Sequence, residues 1–281
     1  MKKKWLLKAL LPGLAVLLCL TLAPGVGNAD YTMSVGNATV VWTASNGSVN
    51  WAIGAPTSIY MPIEQFYYQL NGGTVSALPA FSSPSVTAGS GIETLTATTT
   101  IAEGLTLTES FTLTAPSINN SDLSETIAVS NTTGSTLNIF EYAHFNLSGN
   151  GTDTGWFSGT PPNTAWQYAM STSPLHVSET SASGPTISGY EYGPYGNPGV
   201  LGDVLSGSLA DILPSPGNPA TLLNGSLVGD LAWAFEWSLG SESLAISKDK
   251  YLYVPLPPSA LLLGSGLLGL VGLRWRSRRK S

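Results

Sequence analysis

The sequence has little cysteine and few basic residues over most of its length. The single cysteine, Cys19, lies in an N-terminal apolar stretch. Disulfides, thiol nucleophiles and cysteine metal sites are therefore excluded from the rest of the chain. Of the 11 Lys and Arg residues, four precede residue 30 and five follow residue 273, which leaves Lys248 and Lys250 between them. All 17 acidic residues lie between Asp30 and Asp249.

Two basic residues against 17 acidic ones give the central region a net charge of −15. This charge excludes nucleic acid and anionic membrane surfaces as partners, because both bind proteins through basic patches that release counterions. The negative charge favours solubility and the binding of divalent cations. About 225 residues can bury an adequate core without disulfides. No break in composition divides 30–253, which we interpret as one exported domain.

The N-terminal segment 1–29 is typical of a secretory signal peptide. An apolar stretch, Leu6–Leu22, follows the basic residues, and small residues, Gly27 and Ala29, precede Asp30. We predict cleavage between Ala29 and Asp30, with signal peptidase and the export machinery as partners. The alternative is an uncleaved anchor. Lipidation of Cys19 is not expected, because Leu18 precedes it. The basic residues are Lys2, Lys3, Lys4 and Lys8.

The C-terminal segment 254–281 has three parts. A proline-rich turn is followed by 14 uncharged residues, 260–273, and by a basic end, 274–281. A helix of that length is ~21 Å long, which is short against a bilayer core of ~30 Å. Predominantly apolar residues before a basic end predict a transmembrane helix whose end stays cytoplasmic. A buried core helix, a plain single-pass anchor and a removable sorting tail are the alternatives. The flanking basic residues are Arg274, Arg276, Arg278, Arg279 and Lys280.

This order of features resembles the PEP-CTERM sorting signal of Gram-negative bacteria. Val254, Pro255 and Pro257 match its motif, and Leu256 stands where the family usually has glutamate. The resemblance covers about a tenth of the chain. It implies an exosortase-type processing enzyme as a partner and transient residence in the inner membrane. It further implies release to the cell surface or extracellular matrix, in company with exopolysaccharide.

The body of the chain predicts a mainly β fold, an antiparallel β-sandwich with one short helix. Between Ile92 and Ala115, apolar residues alternate on both sides of a Glu103-Gly104 turn, and we assign the opposite face to Thr residues and Glu109. Leu137–Leu147 is apolar on both faces, which indicates a central strand. A hairpin beginning at Trp233 supplies aromatic side chains to the core.

The remaining body patterns predict less regular structure. Gly189–Gly196 has the composition of an exposed aromatic loop. Asn197-Pro198 is placed to begin a short helix with Leu201, Val204, Leu205, Leu209 and Ile212 on one side. Ser247–Lys250 is interpreted as a polar exit before the tail.

No residue pattern identifies a catalytic site, and we expect neither a metal nor a cofactor. Glu141 shares an apolar strand face, where burial would raise its pKa. We favour an edge position or a bond to a neighbouring Tyr or Thr over a catalytic role. His144 and His176 lack zinc-site spacing, and 149–155 has one carboxylate where a calcium loop needs several.

The sequence therefore predicts a surface or matrix protein of unknown activity that is not an enzyme. One alternative is a carbohydrate-binding module or a glycan-active enzyme; another is an anchored periplasmic protein. The enzyme form would need paired carboxylates among Glu141, Glu191 and Asp153. The module would use flat aromatic rings, which offer apolar area with polar edges. The candidate rings are Trp156, Trp166, Tyr190, Tyr192 and Tyr195.

Overall fold

The computed structural model describes residues 30–54, 59–147, 153–159, 161–169, 175–196, 199–209, 211 and 227–254. These residues form 17 strands and one short helix, α1 (Val200–Ser206). The strands are β1 (Tyr31–Val35), β2 (Ala38–Thr43), β3 (Ser48–Ile53), β4 (Ile59–Leu70), β5 (Ser76–Ala77), β6 (Ser82–Gly89), β7 (Ile92–Ala102), β8 (Leu105–Ser117), β9 (Asn120–Asn131), β10 (Leu137–His144), β11 (Asp153–Gly159), β12 (Pro162–Tyr168), β13 (His176–Ser183), β14 (Ile187–Pro194), β15 (Leu227–Gly229), β16 (Leu231–Gly240) and β17 (Leu244–Tyr253).

The strands form two sheets that pack face to face. Sheet 1 has the order β1-β2-β3-β4-β10-β16-β14, with β5 paired to β4, and sheet 2 has the order β15-β11-β12-β13-β17-β9-β8-β7-β6. All the pairings described are antiparallel. The predicted mainly β, antiparallel architecture with one short helix is confirmed.

The hairpin β7–β8 shows how alternation produces this fold. Gly104 takes a positive φ of 74° in the turn, which glycine adopts without steric cost. On the outer face, Thr94 and Thr112 hydroxyls lie 3.2 Å apart. Glu109 was predicted on this threonine face, and that assignment is wrong. It lies two residues from Leu107 and from Phe111, and all three are buried in the core.

The core between the sheets is rich in large aromatic side chains. Trp51, Phe145 and Trp233 are fully buried, and the rings of Phe145 and Trp233 stack with centroids 5.0 Å apart. β10 pairs with β4 on one side and β16 on the other, so the predicted central strand is confirmed. The β16–β17 hairpin supplies core aromatics, as expected.

The outer face of sheet 1 is covered in part by α1. Val200 and Val204 are buried there, whereas Leu205 is exposed. The helix begins after Gly199 and ends at Gly207, which has a positive φ of 73°. The short helix is thus confirmed, although Pro198 and Ile212 lie outside the described residues.

Two predictions for the body are wrong. The segment proposed as an exposed aromatic loop is mostly β14, in which Tyr192 is buried. Ser247–Lys250 is not a polar exit, because it lies in the middle of β17 with Lys248 and Lys250 both buried. Within the described part of the chain, no helix has the length and apolarity needed to cross a bilayer. The predicted signal peptide and the tail from Pro255 onward lie outside the described residues.

Candidate functional site

The centre of the sandwich contains a cluster of charged side chains, which we call the buried charge cluster. Each member is at most 1% exposed. Sheet 1 contributes two glutamates from β4 and β10, and sheet 2 contributes the other residues from β8, β9, β13 and β17. The members are Glu64, Glu109, Glu125, Glu141, Glu179, Lys248 and Lys250.

Strand register brings these groups together. In β17 the residues Ile246, Lys248, Lys250 and Leu252 all face the core, because alternate positions of a strand share one face. Lys248 lies opposite Glu125 of β9, and Lys250 lies opposite Glu179 of β13. Opposite charges directly across a strand pair stabilise the sheet.

Lys248 is enclosed by carboxylates from both sheets. Its Nζ lies 2.9, 2.8, 2.6 and 3.2 Å from oxygens of Glu64, Glu125, Glu141 and Glu179. The Nζ also lies 4.3 Å from the centroid of the Phe66 ring, a cation–π contact. The expectation that Glu141 occupies an edge or bonds a Tyr or Thr is therefore wrong. Glu141 lies on the central strand β10, and its partner is Lys248.

Lys250 contacts the same four glutamates, but Glu141 and Glu179 lie at 3.8 Å from its Nζ. Its Nζ donates hydrogen bonds to Glu64 Oε1 and, at 2.9 Å, to Glu125 Oε2. Two indole groups complete the polar contacts of the buried charge cluster. Trp233 Nε1 donates to Glu179 Oε2 at 2.9 Å, and Trp42 Nε1 donates to Glu109 Oε2 at 3.1 Å.

The protonation states balance the charges. Burial raises the pKa of Glu109, Glu125 and Glu141, and neighbouring carboxylates raise it further. Burial also opposes ionisation of Glu64 and Glu179, but Lys248 and Lys250 outweigh it and lower the pKa of both. These directions favour ionised Glu64 and Glu179 beside the two ammonium groups and neutral forms of the other three glutamates. Such a pairing limits the net buried charge, as a low-dielectric interior requires.

A metal ion has no space at this point unless it displaces an ammonium group. Oxygens of Glu64, Glu141 and Glu179 lie within 4.8 Å of one another, a grouping that could ligate a cation. Lys248 Nζ is in contact with all three carboxylates, so the lysine supplies the positive charge itself. Because the buried charge cluster is enclosed, a polymeric substrate does not reach these carboxylates.

The outer face of sheet 2, which points away from the core, carries a row of half-buried and buried aromatic rings, which we call the aromatic row. Consecutive rings contact one another across β11, β12, β13 and β17, with centroids 5.2 Å apart for Trp156 and Tyr168, 4.9 Å for Tyr168 and His176, and 5.4 Å for His176 and Tyr253. Four strands at ~4.8 Å spacing make the row roughly 14 Å wide. The members are Trp156, Trp166, Tyr168, His176, Tyr251 and Tyr253.

The outer face of sheet 1 holds a smaller polar group. His144 Nε2 lies 2.7 Å from Asp230 Oδ1, and the exposed Tyr195 stacks on the imidazole at 3.8 Å. Burial lowers the pKa of His144 more than Asp230 raises it, so the imidazole is neutral near pH 7. The two histidines lie on opposite faces of the sandwich, His144 on sheet 1 and His176 on sheet 2.

The structure does not bring the proposed aromatic residues together as a single group. Trp156 and Trp166 pack together in the aromatic row, Tyr192 is buried in the core, and Tyr195 lies on sheet 1. Our sequence reasoning missed four members of the row. The sequence did offer a signal for them. Trp166 and Tyr168 in β12, and Tyr251 and Tyr253 in β17, lie two residues apart, so each pair shares one face of its strand. The missed members are Tyr168, His176, Tyr251 and Tyr253.

The proposed acidic residues are buried instead of lining an open cleft. Glu141 belongs to the buried charge cluster. Asp153 is also fully buried and accepts hydrogen bonds from Leu147 N and Gln167 Nε2. Glu191 is 5% exposed on β14.

The predicted cleavage residue Asp30 lies at the start of the described domain. Its carboxylate oxygen Oδ1 accepts a hydrogen bond from the backbone N–H of Ala44.

Comparisons with known proteins identify a fold and no family. No protein-family model matches the sequence, and no curated protein does so. The heparan sulfate lyase HepC from Pedobacter heparinus is 12% identical with a TM-score of 0.51, over 82% of this chain and 36% of that chain. A bacterial glucoamylase complexed with acarbose is 11% identical with a TM-score of 0.50, over 82% of this chain and 34% of that one. This chain thus spans about a third of these larger enzymes, and the likeness shows the fold alone.

Proposed function

We propose that the protein is an exported surface or matrix protein that binds a neutral polysaccharide through the aromatic row and does not cleave it. The observation that carries this proposal is the row itself, in which five half-buried rings and the buried Trp156 share one sheet face. Aromatic rings with polar edges suit sugars, whose faces are apolar and whose rims carry hydroxyls.

The negative charge of the central region limits the kinds of polysaccharide that it can bind. A region with a net charge of −15 repels acidic polymers, so a neutral glycan fits best. The hydrogen bond from Asn120 Nδ2 to Tyr251 Oη, at 3.2 Å, places amide and phenol groups beside the rings. The two solved structures of similar fold are named as a heparan sulfate lyase and a glucoamylase, which supports a glycan-related role in general terms. The enclosed carboxylates favour binding over hydrolysis.

The route to the surface is part of the same proposal. Signal peptidase cleaves between Ala29 and Asp30, the apolar segment 260–273 holds the chain in the inner membrane, and an exosortase-type enzyme acts at the Val254–Pro257 motif. The resemblance of 254–281 to the PEP-CTERM signal supports this route. Extracellular polysaccharide is then the expected partner.

Affinity electrophoresis of the full chain in gels containing soluble neutral glucans or mannans tests the binding. The Trp166→Ala and Tyr168→Ala variants should each bind at least about tenfold more weakly, because an aromatic anchor contributes more than about 1.4 kcal/mol. Tyr195→Ala is the matched control, since it removes an exposed ring from the other sheet. Unretarded wild-type protein, or equal loss in the control, would contradict the proposal. Release of reducing ends would favour the enzyme alternative.

Peptide mass mapping of the protein from its native host tests the route. A surface fraction whose chain begins at Asp30 and ends between Val254 and Pro258 supports sorting. A chain that retains 260–281 in the inner membrane would instead identify an anchored periplasmic protein.

A further inference from the structure

The contact between Lys250 and Glu64 joins the two sheets at the centre of the buried charge cluster. Lys250 belongs to β17 of sheet 2 and Glu64 to β4 of sheet 1. Lys250 Nζ donates a hydrogen bond directly to Glu64 Oε1, and both side chains are fully buried. We propose that these two side chains condense to an amide that covalently cross-links the sheets in the folded protein.

The neighbouring groups supply the proton transfers that condensation needs. Glu125 Oε2 accepts a hydrogen bond from Lys250 Nζ at 2.9 Å and orients the amine. Glu141, on the strand next to Glu64, places a carboxyl oxygen within 4.8 Å of an oxygen of Glu64. Because burial and the carboxylate of Glu179 raise the pKa of Glu141 well above its usual range, its neutral form is favoured, and Glu141 is the proton donor for the Glu64 carboxyl group.

The reaction balances without an external reagent. Lys250 passes one proton to the ionised carboxylate of Glu64, and its neutral Nζ attacks Cδ of the Glu64 carboxyl group. The Nζ–Cδ bond forms, and one Cδ–O bond of Glu64 breaks. The departing hydroxyl takes a proton from Glu141 and leaves as water, and the second proton of the amine returns to Glu141. General acid and base groups at hydrogen-bond distance are the usual requirement for such a step.

The cluster also explains why Lys250, and not Lys248, is the nucleophile. Four carboxylates lie within 3.2 Å of Lys248 Nζ, whereas Glu141 and Glu179 lie 3.8 Å from Lys250 Nζ. Lys250 therefore directs its hydrogen bonds at Glu64 and Glu125. Burial lowers the pKa of Lys250, but the carboxylates of Glu125, Glu179 and Glu64 raise it more. The neutral amine is therefore rare, and we expect the cross-link to form slowly after folding.

The product has a clear structural value. The two residues are 186 positions apart, so the amide closes a long loop in a domain whose described part contains no cysteine. Closing a long loop restricts the unfolded chain, as a disulfide does. The amide also removes two buried charges, each of which is costly to desolvate.

Mass spectrometry of the full chain tests the cross-link directly. We expect folded wild-type protein, unfolded and digested with chymotrypsin, to give a branched peptide that joins the fragment ending at Phe66 to the one ending at Tyr251. Its mass should be lower than the sum of the two fragments by one water molecule. Protein that has never folded, recovered from inclusion bodies directly into denaturant, should lack the branch and acquire it after refolding.

Variants separate the roles of the residues. Lys250→Arg should abolish the branched peptide, and Glu141→Gln should slow its formation at least tenfold in the folded fraction. Asp249→Asn is the matched control, because Asp249 is exposed on the same strand and should leave the yield unchanged. Folded wild-type protein with the full sequence mass and no branched peptide would overturn the proposal. A branch mapped to another lysine or glutamate would equally overturn it.

Discussion

Replacing Lys248 by methionine tests the energetics of the buried charge cluster. The substitution removes an ammonium group that contacts four carboxylates within 3.2 Å. Removing one partner of a buried ion pair costs about 3–5 kcal/mol, because the other charge stays desolvated. We expect Lys248→Met to lower the free energy of unfolding by this amount at pH 8. Since whole domains have only about 5–15 kcal/mol, a large share of the stability would be lost.

The penalty should be smaller at acid pH. Without Lys248, the carboxylate of Glu179 loses a cause of its lowered pKa, and folding of the variant then requires proton uptake. Each proton taken up on folding makes stability fall by about 1.4 kcal/mol per pH unit as pH rises. The window runs from the unfolded carboxylate pKa upward to the new folded value. We therefore expect the penalty at pH 5 to be about 1–3 kcal/mol smaller than at pH 8.

Urea unfolding followed by tryptophan fluorescence, at pH 5 and at pH 8, measures both quantities. Asp249→Ala is the control, because it changes an exposed neighbour on β17 and should alter stability by less than about 0.5 kcal/mol. A Lys248→Met penalty below about 1 kcal/mol, or one equal at both pH values, would refute the electrostatic argument.

Two further substitutions test other parts of the interior. Burial raises the pKa of Glu109 in the folded protein, and the carboxylate of Glu125 raises it further. Glu109 therefore contributes stability below its unfolded pKa, and this contribution is lost as pH rises towards its folded pKa. Glu109→Gln should therefore be more stable than the wild type at pH 8 and nearly equal to it at pH 4 in urea unfolding; the reverse order would contradict the assignment. In Gly155→Ala, the added Cβ would lie 1.8 Å from Tyr192 Oη, and overpacking of this kind costs about 1–3 kcal/mol. An unchanged urea midpoint would show that β11 shifts freely.

Much of the fold was predictable from alternation, because one buried sheet face imposes a period of two on the sequence. Leu95, Ala97 and Thr99 are buried as that period requires, and Glu141 shares the core face of β10 as expected. In β17 the same alternation places Ile246, Lys248, Lys250 and Leu252 on the core face. We nevertheless predicted a polar exit there, since lysine is almost never fully buried.

The partners of the lysines were not predictable. Four glutamates from four different strands meet the two lysines only after pairing places β17 between β13 and β9, and that order depends on contacts far apart in sequence. The aromatic row has the same origin, because Trp156, Tyr168 and Tyr253 become neighbours only across strands. The pattern within one strand predicts which side chains point to the same face of the sheet. Strand pairing determines which residues of other strands lie beside them.

The position of β17 has a consequence for when the chain folds. This strand comes last in sequence order among the described elements and occupies the middle of sheet 2. Until it emerges, β13 and β9 have no partner on that side, and the inward glutamates have no ammonium groups to neutralise them. A chain still being synthesised therefore stays open until about residue 253. The slow assembly of distant strands waits until the described domain is complete.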